Sequence, residues 1–182
     1  MKTEVVNGRE SYILESDVTS AKITKNGAHV MADFKIGDKK INPFFIAPWW
    51  KEDCNALLDT CDYPLRGIFF GLPFGMTKPD KGIQRPCHGY VPAREWEMLE
   101  EAKTDAEKTL TLSVFVPEEN AAVKQRVTVQ DGETVLYIAN SVKGVKGAYS
   151  VGYHPTLQLP EKLERQLAFM EEIGCAFSCT AY

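Results

Sequence analysis

Between Ala28 and Ile36 every second residue is apolar: Ala28, Val30, Ala32, Phe34 and Ile36. An extended chain uses that spacing to bury one face, and a helix of 3.6 residues per turn cannot. Asn26-Gly27 and Gly37-Asp38 bracket the run as turns. Short β-branched and aromatic runs recur at Thr109–Val116, Ala122–Gln130 and Glu133–Val142, and Asp131-Gly132 predicts a tight hairpin between the last two. This is the pattern of an antiparallel meander. The segment Arg94–Lys103 alternates less cleanly (Trp96 and Met98 against Glu95, Glu97 and Leu99), but its place before the meander predicts one more strand.

From Ile41 to Gly89 the chain changes character, with Pro43, Pro48, Pro64, Pro73, Pro79 and Pro86 among glycines and aromatics. Such a stretch predicts long ordered loops, the usual carriers of function. After Pro160 the β pattern breaks: Leu163, Leu167 and Met170 lie at helical spacing and Gly174 would end that helix. The expected organisation is a β-sandwich over residues 1–160 and a short helical tail over 161–182.

The formal net charge of -4 comes from 21 basic and 25 acidic residues with no long like-charge block. It offers no footprint for nucleic acid or an anionic membrane, and a small neutral partner fits better. The longest apolar candidate, Ile41–Trp50, is short and broken by two prolines, so no membrane span is expected. The N-terminus lacks the apolar run of a secretory signal, and the five cysteines are an odd set, which together suggest a reducing cytoplasm. Cys54, Cys61, Cys87, Cys175 and Cys179 do not form the close pairs that tetrahedral zinc requires, so they read as ordinary thiols and no metal is expected.

Three histidines remain as candidates for proton transfer, which suits an imidazole because both of its forms exist near neutrality. His88 and His154 lie in Gly/Pro-marked, aromatic-rich segments, HGYVPAREW and VGYHP. His29 falls on the polar phase of an amphipathic strand and is expected to be exposed or at a sheet edge. Phe44, Phe45, Trp49, Trp50 and Trp96 are expected to anchor core and loops rather than stack on a ligand.

The order of GAHV, APWW, LRGIFFGLPFG, HGYVPAREW and VGYHP resembles the galactose mutarotase-like superfamily, which includes aldose 1-epimerases and hexose-6-phosphate 1-epimerases. The resemblance runs from about Ser16 to Leu159, and its most specific parts are His88–Tyr90 followed by Trp96, and Gly152–Pro155. It implies an antiparallel β-supersandwich that binds a sugar ring, with His154 as general acid and His88 near the ring oxygen. Arg66 is similar to the family's arginine that reaches a sugar hydroxyl or phosphate, although Pro92 stands where the phosphate branch carries a further arginine. The bland alternative pairs Arg66 and Arg94 with acidic neighbours such as Asp62 and Glu95. In the family reaction a carboxylate takes the proton of the anomeric hydroxyl, the histidine protonates the ring oxygen, and the ring opens, rotates and recloses, with no cofactor.

The chain departs from the family at its end. The family's glutamate base comes from well beyond the Gly-Tyr-His-Pro motif, and Glu161, Glu164, Glu171 and Glu172 sit on the expected tail helix rather than on a strand. The sandwich is therefore expected to be incomplete. Three readings follow: an aldose epimerase whose base is lost or displaced, a sugar-binding module without turnover, and a truncated, inactive chain that self-associates through exposed sheet edges.

Overall fold

A computed structural model describes residues 1–51, 65–75, 78–79 and 82–159. The expected tail helix and its boundary at Pro160 lie outside the described residues, as do Cys54, Cys61, Asp62, Cys175 and Cys179. Within the described residues the chain is an antiparallel β-sandwich of two sheets. The first sheet is built from β1 (Lys2–Val6), β2 (Arg9–Glu15), β3 (Thr19–Thr24), β4 (Val30–Ile36), β6 (Ile68–Gly71) and β11 (Gly152–Pro155) in that spatial order, with β5 (Lys39–Ile41) also paired to β4. The second is a four-stranded meander of β7 (Glu97–Lys103), β8 (Glu107–Val116), β9 (Ala121–Gln130) and β10 (Tyr137–Lys143).

Alternation along the strands produces the core. Tyr12, Leu14, Ala21, Ile23, Val30, Ala32 and Phe70 from the first sheet meet Leu110, Leu112, Val114, Val116, Val123, Val127 and Val129 from the meander. Burying a side chain of this kind fully is worth about 1.5–3 kcal/mol, so the contact between sheets dominates the fold. One polar link crosses it: Gln125 is buried and its Nε2 donates to the carbonyl of Ala28 at 2.8 Å. Its Oε1 accepts from Asn140, whose Oδ1 in turn accepts from Tyr153 at 2.7 Å.

Two local features of the meander are set by packing. β9 and β10 pair antiparallel as the hairpin expected around Asp131-Gly132, with a connection longer than two residues because β9 ends at Gln130 and β10 begins only at Tyr137. The turn is held by the other sheet: Asp17 accepts from Gly132 N at 2.7 Å, Asp131 accepts from Asp17 N at 3.2 Å, and Thr19 Oγ1 donates to the Glu133 carbonyl. The uneven alternation around Trp96 also has a cause, since β7 carries a register shift between Met98 and Glu100. An extra residue of this kind moves the following side chains onto the opposite phase.

The polar phase of the first sheet is not left to water. Ser11, Ile13, Met31, Asp33 and Phe69 alternate with the core residues and are buried as well. Asp33 lies between Lys22 Nζ at 2.6 Å and Lys40 Nζ at 2.9 Å. Its partial burial favours the neutral acid, but the two ammonium groups outweigh that and hold its carboxyl below the usual carboxylate range. Among the described residues no helix is long and apolar enough to cross a membrane.

Candidate functional site

β6 and β11 bring the two motif segments together. Their register sets Phe69 opposite His154 and Gly71 opposite Gly152. Residues paired across an antiparallel ladder share a face. Phe70, on the alternate phase, belongs to the core between the sheets, so Phe69 and His154 occupy the other face of the first sheet. There the His154 imidazole stacks on Phe69 with ring centres 4.9 Å apart and 5° between planes. His88 meets the Phe69 ring edge-on at 5.7 Å and stands perpendicular to His154 at 5.0 Å.

The glycine pair explains why these segments are GLPFG and GYHP. A Cβ on Gly152 would lie 2.7 Å from Cδ1 of Phe74, and one on Gly71 would lie 2.2 Å from Cδ2 of the same ring and 2.8 Å from the His88 carbonyl. The two bare positions therefore form the seat of Phe74, whose ring lies beside His88 (5.9 Å) and His154 (6.3 Å). Gly89, with φ 76°, lets the chain after His88 pass over Leu72, whose carbonyl a Cβ there would strike at 2.2 Å. Phe69 and Phe74 thus give the two half-buried imidazoles an apolar frame.

His29 corrects its sequence reading. It is fully buried, its ring centre is 4.6 Å from that of Phe69, and its Nδ1 and Nε2 face the carbonyls of Arg66 (3.2 Å) and Pro92 (3.0 Å). A neutral imidazole has one N–H, so it donates to one carbonyl while the other ring nitrogen faces an oxygen without a proton between them. Protonation would satisfy both carbonyls, yet burial dominates and lowers its pKa to about 4, with the charge of Arg66 and His154 acting in the same direction. Gly27, next but one to His29, has φ 80°, and a Cβ there would strike Pro92 O at 2.2 Å and the His29 ring at 2.5 Å. All three histidines thus surround one phenylalanine.

Arg66 lies two residues before β6. Its side chain is fully buried, and the guanidinium donates to the carbonyls of Val6 (2.9 Å) and Asn7 (3.1 Å) at the β1–β2 turn. Its carbonyl serves His29. Arg94 pairs with Glu118 rather than Glu95. Trp96 is buried and donates from Nε1 to the Val91 carbonyl at 3.2 Å, the anchoring role expected of it. Phe44 packs against the core, and the Trp50 ring lies 3.3 Å from where a Cβ on Gly8 would stand. Cys87 is exposed, and no cluster of three or more potential metal ligands occurs among the described residues.

No family model and no curated protein matches the chain. Solved structures do. A candidate mutarotase, YeaD from Salmonella typhimurium, is similar over 70% of this chain and 42% of its own, with a TM-score of 0.51 and 14% identity. The HI1317 structure is similar over 71% of this chain and 48% of its own, with a TM-score of 0.49 and 17% identity. The chain therefore shares the sandwich fold of the YeaD structure, and it spans somewhat under half the length of both structures.

Proposed function

We propose that this chain carries the sugar site of a mutarotase-like protein and interconverts the α and β anomers of an aldose, with His154 as general acid and His88 as a substrate contact. The observation that supports this reading is the perpendicular pair of imidazoles 5.0 Å apart, framed by Phe69 and Phe74 on one face of the first sheet. Two nitrogen heterocycles at that spacing suit a ligand that presents a ring oxygen and a hydroxyl side by side, and the aromatic frame suits the apolar face of a pyranose. His154 would deliver its proton to the ring oxygen as the ring opens. A carboxylate takes the anomeric proton, which balances the proton that His154 delivers to the ring oxygen. Arg66, the further sugar contact that the resemblance implies, also ties the site to its surroundings, through its carbonyl at His29 and its guanidinium at the β1–β2 turn.

The test is exchange NMR of anomer interconversion for glucose, galactose and glucose 6-phosphate, with saturation-transfer binding measured on the same samples. Acceleration above buffer that disappears in His154→Ala supports the epimerase. A positioned acid contributes about 10²- to 10⁴-fold, so the loss should be of that order. Binding without acceleration makes the protein a sugar-binding module, and folded protein that neither binds nor accelerates overturns the proposal.

A further inference from the structure

A buried carboxylate outside the imidazole pair has two partners that both lead back to it. Glu119 ends the single 3-10 turn Pro117–Glu119 that joins β8 to β9, on the opposite sheet from the histidines. Its side chain is 2% exposed, and a carboxylate so placed persists only with strong donors around it. Oε1 accepts from Arg85 Nε at 2.5 Å, while Oε2 accepts from Tyr149 OH at 2.8 Å and from Arg85 Nη2 at 3.4 Å.

Arg85 lies three residues before His88, and Tyr149 lies five residues before His154. The two segments are also laced to a shared third: Phe74 N donates to the Ser150 carbonyl at 2.9 Å, Ser150 Oγ donates to the Phe74 carbonyl, and Gly75 N donates to the Cys87 carbonyl at 2.7 Å. Next to Glu119, Glu118 pairs with Arg94 on the far side of His88. The turn itself is fixed by Asn120, which takes φ 49° and donates from Nδ2 to the Gly144 carbonyl.

We propose that Glu119 is a positioning residue: by holding Arg85 through both oxygens and Tyr149 through Oε2, its carboxylate sets the distance and angle between His88 and His154. It does so without touching the sugar. Reactions that need two groups at once are sensitive to shifts of about 1 Å, which can cost on the order of 100-fold in rate. Glu119→Gln keeps the volume but removes the charge that Arg85 pairs with and puts an amide where a carboxylate stood, so the hold on Arg85 weakens and the Tyr149 hydroxyl must turn from donor to acceptor. The kinetic part of this inference rests on the epimerase reading above, whereas the structural part does not.

The experiment uses the full chain with ¹⁵N-labelled histidine, comparing wild type with Glu119→Gln, Tyr149→Phe and Arg85→Lys. Imidazole nitrogen shifts and the ring-to-ring nuclear Overhauser contact between His88 and His154 are the primary readouts. The expected result is graded. Glu119→Gln moves the signals of both histidines and weakens their contact while His29 stays in place, Tyr149→Phe moves His154 more than His88, and Arg85→Lys does the reverse. With glucose, the exchange rate at saturation falls about tenfold or more while Kd changes less. Unchanged histidine spectra in Glu119→Gln, whatever its melting temperature, overturn the proposal. If Glu119→Gln fails to fold, unmoved histidines in both single-arm variants overturn it equally. Absence of sugar turnover in the wild type counts against the epimerase alone, since the spectra still decide the role of Glu119.

Discussion

His154 and Phe69 face each other directly across β11 and β6, and their rings lie parallel at 4.9 Å. The phenyl ring fixes the plane in which the imidazole presents its nitrogens, and it also touches the other two histidines. Phe69→Leu keeps an apolar side chain but removes the plane. The expected cost is about 1–3 kcal/mol of stability from lost burial and ring contact, measured by urea denaturation. Anomer exchange should fall further than the stability loss explains at temperatures where the variant is fully folded.

Burial of His29 makes stability depend on pH in a defined window. Its folded pKa of about 4 lies below the ordinary value of 6.5, so between those two values the unfolded chain binds the extra proton and the folded one does not. Stability is then full above about pH 6.5, falls as pH drops towards 4, and loses no more from this group below that, a total of about 3 kcal/mol. Chemical denaturation from pH 7.5 to 4 should show this slope. In His29→Gln the part due to His29 should vanish, and an unchanged slope would assign the acid sensitivity to other groups.

Gly152 and Phe74 are expected to be coupled. Because the three atoms nearest a Cβ on Gly152 all belong to the Phe74 ring, Gly152→Ala should displace that ring and destabilise the fold by about 1–3 kcal/mol. In a Phe74→Ala background the same substitution should be nearly neutral. The double-mutant cycle measures this, and additive effects would mean that Phe74 does not occupy the seat.

The polar bridge between the sheets gives a fourth prediction. Gln125→Leu keeps the volume but leaves the Ala28 carbonyl without its donor in the core, at an expected cost of about 1–3 kcal/mol. Since Asn140 and Tyr153 follow on the same chain of hydrogen bonds, the Tyr153 hydroxyl environment should change too, as seen by NMR.

Among the described residues β10 ends the meander on one side, with Tyr137 45% exposed. A strand edge of this kind recruits other strands, so sedimentation velocity should show association that grows with concentration. Ala139→Glu, opposite Arg126 in the register, adds a charge to the edge and should shift the protein towards monomer. Clean monomer behaviour of the unaltered chain at all concentrations would remove edge pairing from consideration.

The meander was legible because its strands are long and their inward phase is almost wholly Leu and Val. β6 and β11 were not, since four residues give no period and IFFG and GYHP contain glycine or proline where strand patterns rarely do. His88 and His154 were singled out from the motifs around them, and the structure brings their rings within 5.0 Å of each other. His29 was misread for a physical reason: alternation tells which residues share a phase, not whether that phase meets water. Here Met31 and Asp33 on the same phase are buried too. Glu119 gave no signal in sequence, because its partners Arg85 and Tyr149 are brought to it only by the assembled sheets.

The pairing of β6 with β11 also has a consequence in time. Every strand of the meander pairs with its neighbour in sequence, so that sheet can form by short, fast loop closures. Phe69 meets His154 only after the whole meander has been threaded between them. Refolding chains should therefore protect the amides of β8 and β9 before the histidine cluster acquires its native chemical shifts, passing through a stage in which the scaffold exists and cannot yet hold a ligand.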